Sequence, residues 1–243
     1  MAEFKLPTEV IDLPSKGLLY PKDNPLSEGK IELKYMTAKE EDILSNSSYI
    51  RQGIVLDKLF KSLIVTKINY NDLLIGDKNA IMIASRVLGY GNNYTFEFDD
   101  ETHTVDLSKI EFVDIDTKQW ENGNNFSFTL PASKNTVTFK ILTHGDELKI
   151  AGEVKSLKKI NKGSDATVST RLKYMITSIE GDTDNKKIRE YVDKYMLARD
   201  SRALREYAKS VTPDVDLTFF PDEQDDKKQP IPVGLSFFWP DVR

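Results

Sequence analysis

Cysteine is absent from the 243 residues. That removes disulfides, thiolate zinc sites and cysteine nucleophiles together. Histidine occurs only as His103 and His144, a small stock for a zinc hydrolase or a serine triad. Long apolar runs are missing too. Ala80-Ile81-Met82-Ile83-Ala84 falls far short of the roughly twenty residues that span a bilayer. Met1-Ala2-Glu3-Phe4-Lys5-Leu6-Pro7 lacks the apolar stretch of a secretory signal, so residence in cytosol is expected. Nor is there a basic excess: 34 Lys and Arg face 39 Asp and Glu, a formal net charge of −5. That balance argues against a protein that coats nucleic acid, whose nonspecific affinity comes from neutralised phosphates. Gly-x-x-x-x-Gly-Lys-Ser/Thr, His-Glu-x-x-His and Gly-x-Ser-x-Gly are all lacking, and with them the local signatures of phosphate-loop, zincin and hydrolase chemistry.

What is present is a soluble composition, 30% charged and 39% hydrophobic, in a chain long enough for one large domain or two small ones. Residues 1–30 carry turn punctuation at Pro14, Gly17, Pro21 and Pro25 and read as an extended N-terminal arm. Its Leu18, Leu19 and Tyr20 would pack on the arm's own domain or on a partner. Residues 31–120 read as a first α+β unit. The strand Ile31–Tyr35 alternates, and Thr37 with Glu40 fits a capping box. One helix should end near Asn46–Ser48 and a second start at about Tyr49. Gly76-Asp77 should cap a helix running to Leu88, and residues 94–107 alternate on both sides of Asp99-Asp100-Glu101 as a β-hairpin.

Residues 121–243 read as a second α+β unit. Strands flank Pro131–Lys134, a helix runs from His144 to about Ile160, and another from Ala166 to Ile179. Shorter helices cover Lys186–Leu197 and Ser201–Ser210, the latter capped by Asp200, and a hairpin spans 215–238. The order loosely repeats the first unit. Ile31–Thr37 aligns with Val137–Thr143, Asp77–Ile81 with Asp200–Leu204, and Leu13-Pro14 with Leu130-Pro131. The fold class is therefore α+β, two loosely repeated units in each of which a strand and a helical cluster precede a ribbon-like hairpin.

The chemistry-bearing residues have plain readings. Gly89-Tyr90-Gly91 closes a helix, whereas phosphate binding needs the free amides of a helix start. Asp182-Thr183-Asp184-Asn185 is followed by Lys186-Lys187 rather than by further calcium ligands, and reads as a capping turn. Glu40-Glu41-Asp42 sit where a helix macrodipole favours acid, and Asp222, Glu223, Asp225 and Asp226 sit at a hairpin tip. Arg199, Arg202 and Arg205, three apart, could share a helix face as a phosphate stripe, but Asp200 and Glu206 dilute it. Three consecutive aromatics, Phe237-Phe238-Trp239, precede Pro240 near the C-terminus. In a strand Phe237 and Phe238 would point to opposite faces, so either the chain's own helices or a partner must cover them.

Several phrases together resemble a phage family: Leu13-Pro14-Ser15-Lys16-Gly17-Leu18-Leu19-Tyr20-Pro21, Tyr35 to Leu44, Gly76-Asp77-Lys78-Asn79-Ala80, Arg86-Val87-Leu88-Gly89-Tyr90-Gly91 and Phe237-Phe238-Trp239-Pro240. They look like baseplate proteins of T4-like contractile-tailed bacteriophages, the hub subunits and hub assembly proteins. The resemblance covers nearly the whole chain through structural rather than catalytic phrases. It implies a non-enzymatic virion assembly protein in the host cytoplasm, retained in the tail baseplate or released as an assembly chaperone. Its partners would be other tail hub or baseplate proteins, or further copies of itself, without membrane, nucleic acid or cofactor. Many relatives carry Cys-x-x-Cys pairs at hairpin tips. Here the tips are Asp99-Asp100-Glu101 and Pro221-Asp222-Glu223-Gln224, so zinc does not carry over and the hairpins must hold without metal. On this reading Leu18, Leu19, Tyr20, Phe237, Phe238, Trp239 and Pro240 face a partner. The alternative is a regulatory nucleic-acid-binding module built on a degenerate ribbon-like hairpin fold, which net acidity and missing metal ligands disfavour. An enzyme would need a cleft of gathered carboxylates that the sequence does not locate.

Overall fold

A computed structural model describes residues 6–160, 165–222 and 227–238. The class is α+β, eight helices and small antiparallel sheets among the described residues. The N-terminal segment packs on the chain's own domain. Strand β1 (Thr8–Asp12) pairs antiparallel with β2 (Lys30–Lys34), Ile11 opposite Ile31. The chain between them folds back on itself and buries Leu13, Leu19, Tyr20 and Leu26. Gly17 makes the fold-back possible. Its φ is +76°, and a β-carbon there would lie 2.2 Å from the Ser27 carbonyl oxygen.

Helix α1 (Ala38–Leu44) starts at the expected capping box, Glu40 Oε2 accepting from Thr37 N at 3.0 Å and Thr37 Oγ1 at 2.7 Å. Where one further helix was expected there are two, α2 (Ser47–Gln52) and α3 (Val55–Leu63), because Gly53 ends α2 in the left-handed region at φ +69°. Helix α4 (Ile75–Tyr90) begins three residues earlier than read, which makes Asp77 its third residue rather than its N-cap. The hairpin of β3 (Asn93–Phe98) and β4 (Glu101–Asp106) is present, Phe96 opposite His103. Asp99 and Asp100 form its two-residue tip, both at positive φ, the backbone of the mirror-image turn that suits strand twist.

In the second half, β5 (Phe126–Thr129) pairs with β6 (Thr136–Phe139). Helix α5 (His144–Ile160) follows, then α6 (Thr167–Met175). The expected helix to Ile179 stops at Met175. Ile176–Ile179 is strand β7, which extends the sheet on β6, as a β-branched Ile-Thr-Ser-Ile run favours. Helices α7 (Asn185–Lys194) and α8 (Ala198–Val211) complete the cluster, and Asp184 caps α7 through Lys186 N. The final hairpin is shorter than read, β8 (Thr218–Phe219) with β9 (Gln229–Pro230). Pro230 and Pro232 lack donors, so no ladder continues. The chain instead winds into a 3-10 turn, Leu235–Phe238. Phe237 and Phe238 therefore do not alternate between faces; both are fully buried.

The halves use the same devices at matching places. Lys34 Nζ, Thr37 and Glu40 form one cluster at the start of α1; Lys140 Nζ, Thr143 and Asp146 repeat it at the start of α5. Asp77, third in α4, accepts from Ser15 N at 2.9 Å and Ser15 Oγ at 2.7 Å. Asp200, third in α8, accepts from Ala132 N at 2.7 Å and Ser133 N at 3.0 Å. Each aspartate thus holds the Leu-Pro turn between the strands of its own half.

The two hairpins pack on one another. Phe219 lies edge-on to Phe96 (4.9 Å between centroids) and Phe98 (5.4 Å), and 5.2 Å from His103. Tyr94 Oη donates to Pro232 O at 2.8 Å. The helical parts interlock as well. His144 N donates to Leu73 O at 2.7 Å and Trp120 Nε1 to Val211 O at 2.9 Å. At Gly76 a β-carbon would sit 1.8 Å from the Pro213 carbonyl oxygen. One hydrophobic core runs through both halves.

Candidate functional site: a cation-rimmed groove on α8

The residues expected to face a partner mostly face inward. Leu19 and Tyr20 are buried, and the Tyr20 hydroxyl is used twice, donating to Asp77 Oδ2 at 2.6 Å and accepting from Leu74 N at 2.9 Å. Phe237 lies edge-on to Tyr94 at 4.8 Å, and Phe238 reaches Phe60 at 6.4 Å. A partner cannot take these four side chains without unfolding the core, so they are anchors of the chain itself. Leu18 alone among the described candidates is exposed, at 47%. Trp239 and Pro240 lie outside the described residues.

The densest group of titratable side chains sits at the junction of the halves. Asp57 on α3 accepts from Lys78 Nζ at 2.5 Å and from Tyr70 Oη at 2.9 Å. His144 Nδ1 lies 3.3 Å from Lys78 Nζ, which can only donate, so the imidazole proton belongs on Nε2, facing Asp57 Oδ2 at 3.6 Å. Burial opposes ionisation of Asp57, but the Lys78 ammonium and the tyrosine hydroxyl outweigh it and hold the carboxyl below its ordinary range. Burial, then Lys78, push His144 down, keeping it neutral. Asp57, Tyr70 and Lys78 belong to the first half, and His144 is the group the second half contributes. The cluster is a clamp between halves, joining α3 and α4 to the start of α5.

The Asp99-Asp100 tip is exposed. Among the described residues no group of three or more His, Cys, Asp or Glu could hold an ion. Glu223, Asp225 and Asp226 of the second tip lie outside the described residues.

Several surface grooves remain. One of about 490 Å³ along α5 is rich in lysine (Lys155, Lys158, Lys159) but has only Ala151 and Val154 as apolar lining, and one along α8 (Arg202, Arg205, Glu206, Lys209) has none among the described residues. Three others differ in charge. One of about 460 Å³ runs between β4 and β8, but its Lys109 and Lys228 pair with Asp106 and Asp216. A second, about 300 Å³ along α7, holds the Lys187–Asp182 pair. The third, about 340 Å³, has an apolar floor of Ile75, Ile141, Leu142, Met175 and Ala208. Its rim is Lys140, Arg171, Arg205 and Lys209, with Glu147 as the single acid. Arg171 is taken by Glu147 through both terminal guanidinium nitrogens, Nη1 and Nη2, and Lys140 by Asp146 at 2.6 Å. Arg205 donates only to the Ser201 carbonyl, at 3.3 Å, within its own helix. Among the described residues no carboxylate meets Arg205 or Lys209. Two uncompensated cations thus flank a groove whose apolar lining is mostly buried.

The floor is assembled from α4, the segment after β6, α6 and α8. This explains why local sequence reading saw only the arginine spacing on α8. Arg202, grouped with Arg205 in that reading, is spent on Glu206 at 2.8 Å. The missed residue is Lys209, one turn beyond Arg205.

No family model, curated protein or solved structure matches this chain in the comparisons made. Among the described residues no helix is long and apolar enough to cross a membrane.

Proposed function

We propose that this chain is a non-enzymatic assembly protein of a contractile phage tail, a baseplate hub component or hub assembly factor, acting by docking to other tail proteins. One observation carries the reading: the phrases that resemble the T4-like baseplate family are the joints of this fold. Ser15 and Tyr20 meet Asp77, and Gly76 meets Pro213. Thr37 and Glu40 form the cap of α1. Arg86 is buried and ties the carbonyls of Gly91 (3.0 Å) and Asn93 (3.2 Å). Phe237 and Phe238 close the core. Residues that share such roles specify a scaffold, so the likeness is one of architecture, and its functional surface lies elsewhere. The open groove on α8 is that surface.

The test is deletion of the gene from the phage genome that encodes it, with particles counted by electron microscopy. The proposal expects heads to accumulate without baseplate-bearing tails, and complementation to restore them. Normal tails in the absence of the protein would remove the reading.

A further inference from the structure

The groove's occupant follows from comparing the two halves. Counting from the aspartate that holds each Leu-Pro turn, Arg205, Ala208 and Lys209 on α8 occupy the places of Met82, Ser85 and Arg86 on α4. On α4 those three are covered, at 8%, 1% and 2% exposure. The chain's own aromatic 3-10 turn, Leu235–Phe238, lies against that helix. On α8 Arg205 and Lys209 stand exposed beside the groove. Ala208 is buried like its counterpart Ser85, so the two helices differ at Arg205 and Lys209, which the second half leaves uncovered.

Resting on the docking function proposed above, we infer that this groove receives a short acidic segment of a partner protein, one aromatic or large aliphatic side chain seated on the floor. A space of about 340 Å³ accommodates one such side chain and its flanking backbone, rather than a folded surface. Arg205 and Lys209, four apart on one helix, are neighbours on its surface and match two carboxylates flanking the anchor. Lys140 and Arg171 are already neutralised, so the net attraction comes from α8. In a chain of net charge −5, this local positive rim selects acidic segments and steers their approach.

The experiment pans a random dodecapeptide display library on the full chain and on R205E/K209E. Both altered residues are exposed and without acidic partners, so thermal unfolding of the variant should match that of the parent. The expected result is enrichment of peptides carrying at least two acids around an aromatic or large aliphatic residue. Their affinity should fall roughly tenfold or more in the double variant, and exchanging the acids for Lys should restore binding to the variant. Absence of enrichment, enrichment without acids, or equal binding to the variant would overturn the inference. Displacement of the peptide by a single-stranded oligonucleotide of equal charge would reassign the groove to nucleic acid. A sedimentation dimer abolished by R205E/K209E would reassign it to a second copy of this chain. Failure here with tail assembly still dependent on the gene removes the groove's occupant alone. Normal tails without the gene, with acidic peptides still bound, would remove the phage role and leave the groove.

Discussion

Replacing Tyr20 by Phe removes one oxygen and breaks two contacts in the first half. The hydroxyl donates to Asp77 Oδ2 at 2.6 Å and accepts from Leu74 N at 2.9 Å, the amide at the N-cap of α4. A hydrogen bond is worth about 0.5–1.5 kcal/mol, or about 1.5–3 kcal/mol where the acceptor is charged, and an orphaned buried amide costs about 1–3 kcal/mol. The ring stays and keeps its apolar packing, and the terms overlap, so a net loss of about 2–4 kcal/mol is expected. For a chain of this size each kcal/mol lowers Tm by about 2–4 °C, so unfolding should come about 5–15 °C earlier. The assay is calorimetry with urea titration, and Leu18→Ala, at an exposed neighbour, should change stability by less than about 0.5 kcal/mol. The pH dependence has a sign as well. Burial without a facing cation raises the Asp77 carboxyl above its ordinary value, and the hydrogen bonds from Tyr20 and Ser15 work against that rise. Folding therefore favours the protonated form, and this contribution is full below the ordinary carboxylate value and is lost as pH rises through the raised one. Without the tyrosine hydroxyl the carboxyl rises further, so Tyr20→Phe should lose more stability at neutral than at acid pH. A loss under 0.5 kcal/mol, or one equal to that of Leu18→Ala, would refute the reasoning that residues 13–20 are an anchor.

Gly76→Ala should destabilise by several kcal/mol or prevent soluble expression, because the methyl would meet the Pro213 carbonyl at 1.8 Å; urea unfolding checks it. Asp100→Gly should stabilise by up to about 1 kcal/mol, since Asp100 holds φ +63° at an exposed tip. Glu40 is held at about 2 by Lys34, Ser62 and Thr37 against the opposing effect of burial. The stability it contributes is present above the ordinary glutamate value and lost as pH falls through about 2. Acid titration of unfolding should therefore flatten in Glu40→Gln. Phe238→Ala should cost about 3–5 kcal/mol as a buried anchor, measured by thermal unfolding.

Much of the architecture was legible because its signals are local. Alternation marked β3 and β4, the Thr37–Glu40 spacing marked the start of α1, and the aligned Asp77 and Asp200 marked two positions with the same duty. Errors arose where distant partners decide. Ile176–Ile179 continues a helical pattern until β6 is available to pair with it. The Phe237-Phe238 pair looks like exposed grease until Tyr94 and Phe60 are seen to receive it. Whether Leu19 and Tyr20 pack on their own domain or on a partner was left open by sequence, because Asp77, the acceptor of Ser15 and Tyr20, lies about sixty positions away. The groove was the least visible feature. Its floor joins Ile75 of the first half to Ile141, Met175 and Ala208 of the second, and no sequence window contains them together.

The most direct measurement of the central claim is the yield of intact tails after the gene is deleted and returned either unchanged or as R205E/K209E. Docking through α8 predicts full rescue by the unchanged gene and little rescue by a variant that is folded and equally abundant. Equal rescue by both would contradict it.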